Sequence, residues 1–213
     1  MRTIGSKRDK RFRKKVIDYY KRASNSGKKV KCQILDEYIF NNEAEDEATG
    51  IIAAHIWKAS TRGHGLVEFG LRPEEVNSPR NGLFLTKGLE DAFDHLQICF
   101  LYNLLESKIV LWVADTSLMN KTIAGSGKTT TDGSDMTFSD VHQKPLLCPP
   151  NCWPFRRLLS WHARLTLELR PQTVDARRFA TDYDNSPGRE QAVIDPIARA
   201  ISELVEPLDD AST

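Results

Sequence analysis

Three short pieces decide how this chain folds: Ala53-Ala54-His55-Ile56-Trp57, then Ser78-Pro79-Arg80-Asn81-Gly82-Leu83-Phe84-Leu85, then Leu89-Glu90-Asp91-Ala92-Phe93-Asp94. In the first, a single histidine interrupts an apolar run that begins at Ile51, so 51–57 reads as a buried strand. In the second, the turn-rich segment Pro73–Pro79 leads into Gly82–Leu85, a second short strand. In the third, Leu89, Ala92, Phe93 and Leu96 recur at helical spacing, which predicts a helix over Lys87–His95. Thr86 stands where its N-cap belongs, and Glu90 and Asp94 stack one turn apart beside the apolar stripe. Strand, strand and helix thus follow one another within residues 51–100.

Working outward, Lys31–Leu35 reads as a short strand and Asp36–Glu47 as an acidic, polar stretch with a loop at Asn41-Asn42. Lys58–Gly70, with three glycines, reads as an extended surface loop. Gln97–Tyr102 and Lys108–Ala114 carry the β-branched and aromatic residues of two further strands. Asn120–Asp140 shifts to Gly, Ser, Thr and Asp, the composition of a mobile surface loop. Phe155–Leu169 places Leu158, Leu159, His162, Leu165 and Leu169 on one side of a helix that Pro171 ends. The reading is α+β: a strand–strand–helix core with additional strands and flanking helices. Its parts are a basic arm at 1–29, a domain at 30–181, and an acidic linker with a short helix at 182–213.

The 213 residues, 40% hydrophobic and 28% charged, suffice to bury a core without disulfides. Four cysteines at 32, 99, 148 and 152 show no framework spacing, and no secretory signal opens the chain. The expectation is free thiols in a reducing, intracellular setting, cytoplasmic or nuclear. No run of 18 apolar residues is present, which excludes a spanning helix. The net charge of +1 hides an asymmetry: residues 1–31 hold thirteen Lys/Arg against two Asp, whereas 182–213 hold eight acidic groups against two Arg. Within the arm, Phe12, Val16, Tyr19, Tyr20 and Ala23 recur at near-helical spacing, so 9–24 reads as a basic amphipathic helix. A polyanion partner for that arm and a pair of merely solvated termini are both compatible with this pattern.

Ala54-His55-Ile56, Arg80-Asn81-Gly82-Leu83-Phe84-Leu85 and Phe93-Asp94 together resemble the HNH endonucleases, in the branch with an Ala-His-Ile strand, an Asn-Gly-Leu strand and a helix ending Phe-Asp. Cys32 fits a cysteine that this branch often carries, and Arg157–Ala163 is similar to the C-terminal part of uncharacterised fungal and algal members. The resemblance implies a ββα fold around one divalent metal, Mg²⁺ or Mn²⁺, and hydrolysis of phosphodiester bonds, with DNA as the foremost substrate. By the same resemblance His55 is the catalytic base, suited by an imidazole pKa near about 6.5, and Asn81 orients it. The metal falls to Glu90, where many members have histidine, with Asp94 as a second carboxylate; such oxygen ligands favour hard cations. Ala54 stands where many members have an acidic residue or a histidine, and ligates nothing. Those two departures motivate the alternative of a catalytically degenerate HNH-fold module that binds nucleic acid or a partner.

Arg80, Arg62 and His64 are candidates for substrate phosphates, as are Lys10, Arg11, Arg13 and Lys14 on the arm. Gly125–Thr130 imitates a phosphate-binding loop, but Thr122 replaces the required first glycine and no apolar helix follows. Cys148, Cys152 and His142 make only three zinc donors unless His162 completes them, and a loop with buried thiols is the simpler reading. His162 itself, on an apolar helix side, reads as a packed core residue, as do Trp57 and Trp161.

Overall fold

A computed structural model describes residues 10–27, 29–36, 38–40, 50–123, 135–172, 174–175 and 177–181. The start of the arm, most of the acidic stretch 41–47, the glycine-rich 125–130 and the C-terminal linker and helix lie outside the described residues. So do the side chains of Lys10 and of residues 38–40.

The chain begins with α1 (Lys10–Tyr20), then the antiparallel pair β1 (Lys29–Lys31) and β2 (Tyr38–Phe40). β3 (Ile51–His55) runs antiparallel to β4 (Gly82–Thr86), and α2 (Lys87–Asp94) leaves β4 without a linking residue. The expected strand–strand–helix order is therefore present as one antiparallel pair and its following helix. A second sheet pairs β5 (Ile98–Asn103) with β6 (Lys108–Val113) and, on its other side, with β7 (Phe179–Ala180). A short α3 (Phe138–Val141) precedes α4 (Arg156–Leu169), which packs on β5. The architecture is α+β.

The apolar spacing in the arm has a direct structural outcome. Phe12, Val16 and Tyr20 lie on one side of α1 and are fully buried, while Arg11, Lys14, Lys15 and Asp18 stay exposed. Burying Phe12 and Val16 contributes roughly 1.5–3 kcal/mol each, so α1 is a structural part of the domain. α2 buries Leu89, Ala92 and Phe93 as its stripe predicts. No helix among the described residues is long and apolar enough to cross a membrane.

Three local expectations are corrected. Residues 33–35 form a turn rather than a strand, because Gln33 serves the free edge of β4: its N–H donates to the Phe84 carbonyl (2.8 Å) and its Oε1 accepts from the Phe84 N–H (2.6 Å). Thr86 occupies the N-cap position of α2 but makes no capping bond; it is still the last residue of β4, fully buried and paired with Ile51. In α4, Leu158, Leu159, His162 and Leu165 are buried as expected, whereas Leu169 is 55% exposed at the helix end.

His162 shows why a core can tolerate an imidazole. It stacks on Phe93 (centroids 3.8 Å apart, 7° between planes), and its Nε2 lies 3.1 Å from the Phe93 carbonyl. Burial disfavours the charged ring and pushes its pKa down to about 3. The folded state then refuses a proton that the unfolded chain accepts near pH 6.5, so this residue's stabilisation is present above that pH and lost as pH falls from 6.5 toward 3. Urea unfolding followed across this window should weaken by up to about 1.4 kcal/mol per pH unit from His162 alone. The His162→Gln variant should lose that slope; an identical pH dependence in both proteins would refute the assignment.

Candidate functional site

The register of the β3–β4 pair puts His55 opposite Gly82, the residue after Asn81. The strand pair ends there because Asn81 takes over the bonding. Its main-chain carbonyl accepts from the Ile56 N–H (2.9 Å), and its side-chain Oδ1 accepts from the Trp57 N–H (2.8 Å). Its Nδ2 donates to the carbonyls of Trp57 (2.9 Å) and Val76 (2.8 Å). One fully buried carboxamide thus grips the chain just past His55 and the far end of the following loop. Asn81 positions the end of β3 through the backbone, and Trp57, so held, seats its ring against Trp161 (5.0 Å) and Phe69 (5.4 Å).

His55 is half-buried, and its environment includes a residue that sequence reasoning did not connect to it. The Phe12 ring lies flat on the imidazole, with centroids 3.7 Å apart and 13° between planes. Gly82 shows how closely α1 approaches this end of the hairpin: a Cβ there would stand 2.6 Å from Val16 Cγ2 and 2.9 Å from Phe12 Cζ. The Tyr20 hydroxyl donates to the Gly82 carbonyl (3.1 Å), and the Arg13 guanidinium lies over the Phe84 ring (5.1 Å). Alternation along the strands puts His55, Gly82 and Phe84 on one face, and α1 covers that face. Burial among these groups lowers the Arg13 pKa. The near-helical spacing of Phe12, Val16 and Tyr20 predicts an amphipathic helix, and nothing local says which surface its apolar side covers.

On α2, Glu90 is 7% exposed and its carboxylate meets the Lys87 ammonium at 3.2 Å; the same ammonium pairs with Asp91. Burial alone pulls the Lys87 pKa down, but the Asp91 and Glu90 carboxylates outweigh it and raise the value. Asp94 pairs with Lys58. Arg80 is exposed and lies over the Phe155 ring (4.5 Å), its Nε donating to the Trp153 carbonyl (3.3 Å).

These observations bear on the metal that the family resemblance implies. Among the described residues, no three His, Cys, Asp or Glu side chains come together as a metal site. Ala54 is buried and offers only a methyl group, and the carboxylates of Glu90 and Asp94 each face a lysine ammonium. As arranged, this donor set does not fit a resident divalent ion. The zinc alternative is not assembled either: His142 Nδ1 accepts from the Val113 N–H (3.1 Å), and the Cys148 thiol, pushed up to about 12 by burial, receives the Gln33 amide (3.5 Å).

The remaining candidates for phosphate contact lie at the surface. Arg62 and His64 are exposed side chains on the loop after β3, and the His64 carbonyl accepts from Trp57 Nε1 (3.0 Å). Arg11 and Lys14 are exposed on α1, whereas Arg13 is turned onto Phe84.

β3, β4 and α2 follow one another as an antiparallel strand pair and a helix, with Asn81 at the pair's end. Residues 32–101 match the family described as HNH endonuclease, and the HNH resemblance is thereby shown for this segment. No curated protein and no solved structure matches the chain.

Replacing Asn81 with Ala would strand the Trp57 N–H and the Trp57 and Val76 carbonyls in a buried region. Since each orphaned group costs about 1–3 kcal/mol before relaxation, urea unfolding of the variant should show a loss on the order of 3 kcal/mol. A loss below about 0.5 kcal/mol would show that the clamp does not hold the loop.

Proposed function

We propose that the HNH segment hydrolyses phosphodiester bonds in nucleic acid, DNA foremost, with His55 as general base and Asn81 as its positioning residue. The observation that carries this reading is the juxtaposition at the hairpin end: His55 closes its strand opposite Gly82, and the preceding asparagine clamps the chain two residues beyond the imidazole. The imidazole takes a proton from water, whose oxygen attacks phosphorus as the P–O bond to the leaving sugar oxygen breaks. Arg62, His64 and Arg80, exposed on the loop between the strands, supply positive or polar groups for the flanking phosphates.

In plasmid cleavage with Mg²⁺ or Mn²⁺ present, His55→Ala should run several hundred-fold slower than wild type, within the 10²–10⁴ that a general base contributes. Equal rates would remove His55 from the mechanism.

A divalent ion is a separate part of the proposal. With Lys87 on Glu90 and Lys58 on Asp94, Mg²⁺ or Mn²⁺ enters only in competition with an ammonium. Calorimetry should therefore find tighter Mn²⁺ binding to Lys87→Ala than to wild type, and none to the Lys87→Ala/Glu90→Ala double variant. Binding unaffected by either change would move the ion away from α2.

The second reading, a module that binds nucleic acid without cutting it, is favoured by Phe12 on His55 and by the neutralised carboxylates. It requires salt-dependent DNA binding with no cleavage by wild type or by variants that uncover His55, whichever divalent ion is supplied.

A further inference from the structure

We infer that the first turn of α1 is a gate over His55, closed by Phe12 and opened when a nucleic-acid phosphate draws Arg13 off the Phe84 ring. The inference rests on the nuclease reading of the same site and adds its regulation. Three observations support it.

First, the cover is local. Phe12 is the first buried residue of α1 and lies flat on the imidazole, while Val16 and Tyr20, both wholly buried, anchor the next turns beside Gly82. Residues 10–13 can leave the surface while the rest of the helix stays docked. Second, the turn is rich in cations. Lys10, Arg11 and Arg13 stand within it with no acidic residue among them, where the helix dipole disfavours positive charge, and Asp9 is the one carboxylate beside them in sequence. Third, Arg13 supplies the differential contact that any ligand-driven opening needs. In the closed form its guanidinium packs on Phe84, and among the described residues no carboxylate pairs with it. Once released, it gains a charge-assisted phosphate contact while Arg11, Lys14 and Lys15, already exposed, hold the neighbouring backbone.

The burial of one phenylalanine sets the scale. It restrains the open form to roughly one molecule in ten to one in a hundred, and the apparent affinity for a ligand of the open form falls by that fraction.

Two measurements test this on the full chain, neither requiring turnover. In the first, diethyl pyrocarbonate labelling of each histidine is read by mass spectrometry without DNA. His55 should label about tenfold or more faster in Phe12→Ala and in Gly82→Ala, whose added methyl pushes Phe12 and Val16 away, with exposed His64 and His95 unchanged as internal standards. Unchanged His55 labelling in folded variants overturns the gate. In the second, binding of a short duplex is followed against salt. Phe12→Ala should bind about tenfold or more tighter than wild type, and adding Arg13→Gln should abolish most of that gain. Equal affinities for wild type and Phe12→Ala overturn the coupling. If Phe12→Ala does not fold, Arg13→Gln alone decides: it should weaken duplex binding and lower the salt slope by about one, and an unchanged slope excludes Arg13 as the opener. Faster labelling and tighter binding with no cleavage by any of these proteins sustain the gate and discard the nuclease reading.

Discussion

A single buried carboxamide, that of Asn81, holds the end of the β3–β4 hairpin together. It donates to two carbonyls and accepts from one N–H, so both its oxygen and its nitrogen are engaged. Aspartate has the right length but would set a carboxylate against two carbonyl oxygens, and glutamine would carry the same groups one methylene too far. The clamp allows the long excursion between β3 and β4 to be built of short 3₁₀ turns and still return in register. It also decides where Trp57 goes, and Trp57 is the link by which the hairpin reaches Trp161 on α4. A local hydrogen-bonding decision thereby becomes a packing constraint across the domain.

The N-terminal helix shows hydrophobic and electrostatic demands in opposition. Its cations at the N-terminal end oppose the helix dipole, at about 0.3–1 kcal/mol for each unfavourably placed charge. Burial of Phe12 and Val16, with Tyr20 bonded to the Gly82 carbonyl, contributes several times more, so docking prevails. The cations are concentrated at residues 10–15, toward the N-terminal end, while buried anchors recur once per turn at Phe12, Val16 and Tyr20.

What could be read beforehand divides along that boundary between local and distant causes. The strands expected at 51–57 and 82–85, the apolar stripe of α2 and the core position of His162 follow from period and turn chemistry, which neighbouring residues carry, whereas the pairing of the two strands appears only in the fold. The turn at 33–35 could not be read, because its cause is Phe84, whose main chain bonds both the backbone and the side chain of Gln33. Thr86 resembled a cap because composition cannot distinguish the last residue of a strand from the first boundary of a helix when no loop separates them. At the site, the identities of His55, Asn81 and Glu90 were visible, whereas Phe12 over the imidazole and Lys58 beside Asp94 were not. These partners meet through tertiary packing that no spacing rule expresses.

Glu90, Asp91 and Asp94 crowd three carboxylates into five positions of one short helix, an arrangement that like-charge repulsion opposes unless cations answer it. The chain answers with its own lysines: Lys87 spans Glu90 and Asp91, and Lys58, just beyond the β3 strand end, takes Asp94. The raised Lys87 pKa records how strongly the carboxylates hold that ammonium charged despite the cost of burial. An incoming ion would meet carboxylates already paired by tethered groups, which lose less freedom on pairing than a free ion does. It would also have to leave its hydration shell, a step Mg²⁺ makes reluctantly. Charge neutralisation from within the chain and an aromatic cover over the imidazole therefore belong to one electrostatic and steric state of residues 32–101.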